Sequence, residues 1–366
     1  MKQVDVLIIH EVGEPSHYAG LVTALGPESR IRFVEFSTLR LVVRGLKKQR
    51  IDLVAKAIGD LAFLLRCFLL PSSIADRLVV LGIAPLDYRL APMVRIISKA
   101  RVVYHSSWTV WDGSFFPRRT RSKRVATIWR EFLQSVGRIA AVTPTTKVGL
   151  LHSWGVADER VDTVYHSYDA SIFHPPQLPT DKRDQRISAI YVGRLVREKG
   201  IAELIDLATR LPWLDIKIVG DGYMREEVVS ASADLPNLSY HGYVSDRIVL
   251  ADLYRNSQVV MLPSMRTSEW EELFGMALVE AMACGCIPLC TPHPGPTIIL
   301  QPDELVEFCL LPEASFVDDA AERLTMLRLE PTRMSALSTC AHLAAERFSI
   351  DSISAVWRRL VSKVQQ

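Results

Sequence analysis

Apolar residues run along this chain in short blocks, separated by longer stretches in which they return every third or fourth position. The blocks VDVLIIH, IRFVEF, RLVVLG, ARVVYHS, IAAVTP and VDTVYHS read as strands of the first half. QRISAIYVGR, DIKIVGDG, LSYHGYV, SQVVMLPS and CIPLCT read as strands of the second, with LVEFCL as a further candidate. Strand and helix alternating in this way predict α/β architecture, a parallel sheet covered by helices on both faces. No short internal repeat appears. The stretch SIDSISAVWRRLVSKV predicts an amphipathic helix with Ile353, Val356, Trp357 and Leu360 on its apolar side.

Chain length and breakers divide the pattern in two. At 366 residues the chain accommodates two domains of ordinary size. The segment HPPQLPTDKRDQR, 174–186, is rich in proline and charge and contains little that packs. The expected organisation is a first domain over 1–175, a linker over 176–186, a second domain over 187–345, and a carboxyl-terminal helix over 346–366 that packs back on the first domain. Two doubly wound domains would place the carboxyl ends of their sheets at a shared cleft, and ligands bind at such strand ends. Chemistry is therefore sought just after strands.

Composition adds an asymmetry. The chain is 49% hydrophobic and 23% charged with a net charge of only +2. Residues 1–175 carry 24 Lys/Arg against 15 Asp/Glu, a net of +9, and residues 176–366 carry 19 against 26, a net of −7. A basic half suits an anionic partner: phosphate, a membrane surface or nucleic acid. The start, MKQVDVLIIH, lacks a signal peptide's cleavage pattern and reads as a first strand. The six cysteines form no disulfide framework, and Cys284, Cys286 and Cys290 lack the paired knuckle of a zinc site, so reduced thiols in a cytoplasmic protein are expected and no metal site. Lys56, Asp60 and Arg66 interrupt the apolar run Leu53–Leu70, which falls short of a membrane span. Preceded by RGLKKQR, it is either a core helix beside a basic loop or a helix lying on a membrane surface.

Three strand-end loops carry candidate chemistry. In YVGRLVREKG, Arg194 and Lys199 stand five residues apart between Gly193 and Gly200, a pattern suited to a diphosphate or, equally on spacing, to a solvated charged loop. IVGDGYMREEV brings Gly220-Asp221-Gly222 after a strand but lacks the complete dinucleotide fingerprint. IIHEVGEPSH, with Gly13, lacks the Gly-Lys-Ser/Thr of a P-loop, which argues against an ATPase. In ELFGMALVEAMACG, Glu272 precedes Phe274-Gly275, and a helix from Met276 to Ala283 carries Glu280 among Leu278, Val279, Ala281 and Met282. That setting is too apolar for an unpaired charge, so Glu280 must face water, a cation or ligand hydroxyls.

The stretch from Pro263-Ser264 through ELFGMALVEAMACGCIP resembles the diagnostic motif of the retaining glycosyltransferases of family 4, which have the GT-B fold of two Rossmann-like domains facing a cleft. YVGRLVREKG resembles that family's donor-phosphate loop, VGDGYMREE its next strand-turn-helix, and HGYVSDRIVLADLYRNSQVVMLPS the approach to its sugar pocket. In the first half the likeness rests on VVYHSSW and on DASIFHP, 169–175. The resemblance implies that Arg194 and Lys199 hold the diphosphate of a nucleotide sugar and that Glu280 accepts hydrogen bonds from the ribose. It places Glu272 near the donor sugar, with the backbone around Phe274, Gly275 and Met276 holding hydroxyls and phosphates. It assigns His105 to the sugar across the cleft and Gly13 to the loop near phosphate and acceptor. The implied reaction is sugar transfer with retention, without metal, cofactor or protein nucleophile.

Departures from the family pattern cluster at the pocket edge. PSMRTSEWEE inserts residues before Glu272 and adds Glu269, Trp270 and Glu271; PHPGPT lacks an acid after its glycine; the first strand lacks a double glycine; and Ser167-Tyr168 stands where Asn-Gly is common. Trp108, Trp111, Phe115 and Phe116 precede the basic run PRRTRSKR, 117–124. Aromatics beside cations suit a glycan or lipid-linked acceptor, an anionic membrane surface on the inner face, or a plain solvated loop; with a transferase behind them, nucleic acid is not the expected partner. Two competing classes are a GT-B-like binding protein without transfer activity and a sugar-nucleotide epimerase, whose separate acid-base set is not found in the sequence.

Overall fold

Strands buried on both faces set the architecture. A computed structural model describes residues 5–108, 110–111, 122–176, 186–268, 270–301 and 303–365. The chain divides into two compact units, Met1–Ser167 together with Asp351–Gln366, and Tyr168–Ile350. The segment 168–175, assigned from the sequence to the first domain, groups with the second unit. Residues 177–185 of the expected linker lie outside the described residues.

In the first unit the strands are β1 (Asp5–His10), β2 (Arg30–Glu35), β3 (Leu78–Gly82), β4 (Arg101–Ser106), β5 (Arg138–Ala141) and β6 (Val161–Thr163). They form one parallel sheet in the order β2-β1-β3-β4-β5-β6. Successive side chains point to opposite faces of a strand. Leu7, Ile9, Val79 and Leu81 accordingly enter one core with Tyr104, Trp111, Trp129 and Leu133. Val6, Ile8, Leu78 and Val80 enter the other, where helix Ile350–Gln365 adds Ile353, Trp357, Leu360 and Val361. Burial on both faces explains why these strands read as nearly continuous apolar runs.

The second unit holds β7 (Ile187–Val192), β8 (Leu214–Val219), β9 (Leu238–Tyr240), β10 (Val259–Leu262) and β11 (Ile287–Cys290), all parallel, in the order β11-β10-β7-β8-β9. LVEFCL is not a strand: Asp303–Cys309 is a helix. Its Leu305, Phe308 and Cys309 are buried at the three-four spacing of a helix face, and Asp303 and Glu304 favour its first turn. The backbone loops at the carboxyl ends of β7, β8 and β10 touch, and two glycines make this possible. A Cβ on Gly220 (φ +147°) would lie 1.8 Å from the Gly193 carbonyl oxygen, and one on Gly200 (φ +72°) 2.0 Å from that of Pro263.

At the strand ends of the first unit, four imidazoles and a phenol pack together. His10 closes β1, His105 lies in β4, His166 follows β6, and His17 and Tyr18 sit in the single turn Ser16–Tyr18. The His17 ring lies 4.7 Å from that of His166 and 5.3 Å from those of His10 and His105. The Tyr18 hydroxyl is 3.1 Å from His105 Nδ1, and Trp357 packs 5.7 Å from the His105 ring. Burial pushes all four histidines below their ordinary range, reinforced by neighbouring imidazoles at His17, His105 and His166 and opposed at His10 by its bond to Val12 and the charge of Glu11; His166 falls to about 4. The cluster is neutral at physiological pH.

The unfolded chain therefore binds more protons than the native unit between pH 6.5 and about 4, so the stability is complete above 6.5 and lost on acidification. The displacement of His166 from 6.5 to about 4 corresponds to about 3 kcal/mol. Urea titrations at pH 7.5 and pH 5, read by tryptophan fluorescence, should show this unit losing stability at pH 5, and His166→Gln should flatten that dependence. Trp108, Trp111, Trp129, Trp154 and Trp357 all lie in this unit and report it.

Candidate active site

The best-formed cluster of charged groups lies where β7, β10 and β11 of the second unit end. After Val192 the chain turns at Gly193, and the Tyr191 hydroxyl donates to the Arg194 carbonyl at 2.7 Å, fixing the loop. One turn, Arg197–Lys199, leads through Gly200 into helix Ile201–Arg210. The Lys199 ammonium donates to Glu272 Oε2, and both side chains are largely withdrawn from solvent. It also lies 4.9 Å from the centre of the Trp270 indole. Burying a charge is costly unless it is paired, so each of these two groups requires the other.

Glu272 is held from behind by His293, which follows β11. The Glu272 backbone N–H donates to His293 Nδ1 at 3.0 Å, leaving Nε2 as the protonated nitrogen, which donates to the Ser264 carbonyl at 2.9 Å. His293 is fully buried and burial pushes its pKa down, so the ring is neutral in this tautomer. Thr291 Oγ1 donates to the same Ser264 carbonyl at 2.6 Å, and Ser264 Oγ stands 3.4 Å from Glu272 Oε2. Trp270 is 5.9 Å from the His293 ring. Phe274 is buried, and Gly275, at φ +89°, starts the helix Met276–Ala283 in a conformation that favours glycine.

Glu280 lies on that helix and is 5% exposed. Burial raises its pKa, while the charge and hydrogen bond of Arg247 oppose the rise. Arg247 Nη2 donates to Glu280 Oε1 at 2.9 Å, and its guanidinium lies 4.7 Å from the Phe173 ring centre. Of the alternatives open for Glu280, a cation is the one the fold supplies.

Of the expected site residues, Lys199 and Glu272 are in direct contact, and Phe274, Gly275 and Met276 follow Glu272 into the helix bearing Glu280. The Arg194 side chain is exposed and makes no hydrogen bond or ion pair among the described residues. His105 and Gly13 belong to the first unit: His105 is buried against Tyr18, and the Gly13 N–H donates to Glu35 Oε2 at 3.0 Å. Glu269, Phe115, Phe116 and residues 117–121 of the basic run lie outside the described residues. His293 and Arg247 were not singled out from the sequence. Each is one polar residue in an ordinary-looking segment, PHPGPT and VSDRIVL, and only its long-range partner marks it.

Among the described residues no group of three or more His, Cys, Asp or Glu side chains is placed to hold a metal ion. All six cysteines are free thiols, and Cys286 donates to the Tyr254 and Ser257 carbonyls. What the site offers is an ammonium and a carboxylate at strand ends, a second carboxylate on the helix that follows, and the exposed guanidinium of Arg194 in the loop that bears Lys199. Such groups bind anionic oxygens and neutral hydroxyls.

Residues 178–336 match the family model described as glycosyl transferases group 1. A GDP-mannose-dependent alpha-(1-6)-phosphatidylinositol dimannoside mannosyltransferase of Mycobacterium tuberculosis is 26% identical over 240 residues, covering 61% of this chain and 56% of that protein. A D-inositol 3-phosphate glycosyltransferase of Rhodococcus opacus is 26% identical over 234 residues, covering 58% and 50%. The chain thus spans about half the length of the curated relatives it matches. HepE of Anabaena, solved in complex with UDP, superposes with a TM-score of 0.67 at 16% identity, covering 98% of this chain and all of that one. The two parallel α/β units have the GT-B fold, and residues 178–336 are similar to the glycosyl transferases group 1 family.

Proposed function

We propose that the chain is a retaining glycosyltransferase that moves a hexose-type sugar from a nucleotide-diphosphate sugar to a hydroxyl of a glycan or lipid-linked acceptor. The observation that carries this reading is the buried Lys199–Glu272 pair at the ends of β7 and β10, set one helix start away from Glu280. The name of the M. tuberculosis relative specifies GDP-mannose and HepE was solved with UDP, which supports a nucleotide-diphosphate donor.

Lys199 and Arg194 would bind the diphosphate and stabilise the charge that grows on it as the C1–O bond to the leaving phosphate breaks. The acceptor oxygen bonds to the same face of C1, and its proton passes to the departing phosphate, so no protein nucleophile is used. Glu272 would accept from sugar hydroxyls, with the backbone at Phe274, Gly275 and Met276 beside it. Arg247 engages Oε1 of Glu280, and the second carboxylate oxygen would take the ribose hydroxyls. His105 and Gly13 keep, within this proposal, the roles that the family resemblance implies for them.

A screen of nucleotide sugars for hydrolysis and for thermal stabilisation tests the assignment. Wild-type protein should be stabilised by at least one UDP- or GDP-sugar, and no donor binding at all would overturn the reading. Lys199→Ala should lower turnover by about 10²–10³-fold, and stability should fall as Glu272 loses its partner. Lys199→Ala combined with Glu272→Gln should recover the stability without the turnover, separating chemistry from folding.

The ribose role has its own pH signature. Glu280 must be ionised to accept two hydroxyls, and burial has moved its pKa upward. Nucleotide affinity, measured by calorimetry between pH 5 and 8, should therefore fall as pH falls. Arg247→Ala removes the opposing cation and should move that loss to higher pH, while Glu280→Gln should abolish the dependence and weaken binding about tenfold.

A further inference from the structure

The helix Ile51–Leu69 is apolar on the side that faces the core and also on the side that faces away from it. Ala57, Leu64 and Cys67 are buried, together with Asp60, which pairs with Lys56. On the opposite side, Ile51, Ala55, Ile58, Ala62, Leu65 and Leu69 are all exposed, Ile51 at 83% and Leu69 at 69%. Their spacing alternates four and three residues, which at 100° per residue places all six within an arc of about 80° along roughly 27 Å of helix. A helix that is apolar all round is ordinarily buried. This one is not, and an exposed apolar stripe of this length marks a contact surface.

The preceding helix, Thr38–Lys47, extends the feature. It packs on Ile51–Leu69 where Gly45 leaves no room for a side chain, a Cβ there falling 2.9 Å from Val54 Cγ2. Its outward residues Leu39, Val43 and Leu46 are exposed at the same four-three spacing. Cations border both stripes. Arg40, Lys47, Lys48 and Arg66 are exposed and make no ion pair among the described residues, and Arg95 holds the far end through the Phe68 carbonyl. Aspartates are few here: Asp52 is bonded to Arg50 and Asp60 is buried on Lys56.

We propose that helices Thr38–Lys47 and Ile51–Leu69 form a docking face for an anionic lipid bilayer, the leucine and isoleucine stripe entering the interface and Arg40, Lys47, Lys48 and Arg66 meeting the headgroups. Charge complementarity selects this occupant. A second copy of the chain packed on the same face would set these unpaired cations against their own copies, whereas an anionic surface neutralises them. No described helix is long and apolar enough to cross a membrane, and Lys56, Asp60 and Arg66 suit a helix that lies on the surface. The inference requires no donor or acceptor chemistry and stands apart from the transferase reading.

Flotation of the full chain with vesicles of phosphatidylcholine alone, or with 30% phosphatidylglycerol, tests it at about 0.15 M salt. The anionic vesicles should bind the protein at least tenfold more tightly than the neutral ones, and raising salt to about 0.5 M should weaken the binding. Ile58→Glu with Leu65→Glu, both at exposed positions, should reduce binding at least tenfold with an unchanged melting temperature; Lys47→Glu with Lys48→Glu should abolish the preference for anionic lipid. Absence of wild-type binding to anionic vesicles, or binding unaltered by the two glutamates, would overturn the proposal. So would a dimer in solution that the two glutamates dissolve while vesicle binding is absent, which would assign the face to a second copy.

Discussion

A carboxylate removed from water must be given a partner, and in the second unit that requirement ties the strand ends together. Glu272 is withdrawn from solvent and takes the ammonium of Lys199, which comes from the loop after β7. Its backbone N–H is fixed by His293 from beyond β11, and His293 is fixed in turn by the Ser264 carbonyl beyond β10. Three loops far apart in sequence are thus joined through one neutral imidazole and one ion pair. The close backbone contacts at Gly200 and Gly220 allow the loops to approach to that range. A cation and a carboxylate oriented in this way are pre-positioned for a ligand with both phosphate and hydroxyl groups.

The first unit solves the burial of polar rings differently. Its strand ends gather His10, His17, His105 and His166 around Tyr18 and Trp357, with no carboxylate among the causes of the downward shifts of His17, His105 and His166. Neutrality is the condition on which those imidazoles are accommodated in an apolar setting. Neutral imidazoles can donate and accept hydrogen bonds without adding charge, whereas the cations and carboxylates of the second unit supply charge at fixed positions. The two units therefore present different chemistry at equivalent places of the same α/β design.

The outward face of Ile51–Leu69 departs from the usual division of a surface helix into apolar and polar sides. Core packing uses Ala57, Leu64 and Cys67 on the inner side, with Phe63 and Phe68 packed against the core. It does not account for isoleucine and leucine at Ile51, Ile58, Leu65 and Leu69, where a globular surface would ordinarily carry lysine or glutamate. The basic excess of residues 1–175, visible in composition, finds part of its place along the borders of this face.

By itself the sequence determined what is encoded locally. Short apolar blocks and three-four patterns marked the strands of both sheets and the terminal amphipathic helix, and glycines at strand ends marked the loops where backbones meet. The motif order from YVGRLVREKG to ELFGMALVEAMACG marked Glu272 and Glu280 as the carboxylates to follow. LVEFCL misled because a short apolar run fits strand and helix alike until its Leu305, Phe308 and Cys309 are seen on one buried face. Only the tertiary structure decided which charges pair, since Lys199 and Glu272 are 73 residues apart and Arg247 and Glu280 are 33 apart. It likewise singled out His293, and it decided which side of a helix apolar all round was left outside. Local periodicity records how a residue relates to its neighbours in the chain; partners brought together by folding leave no comparable signal.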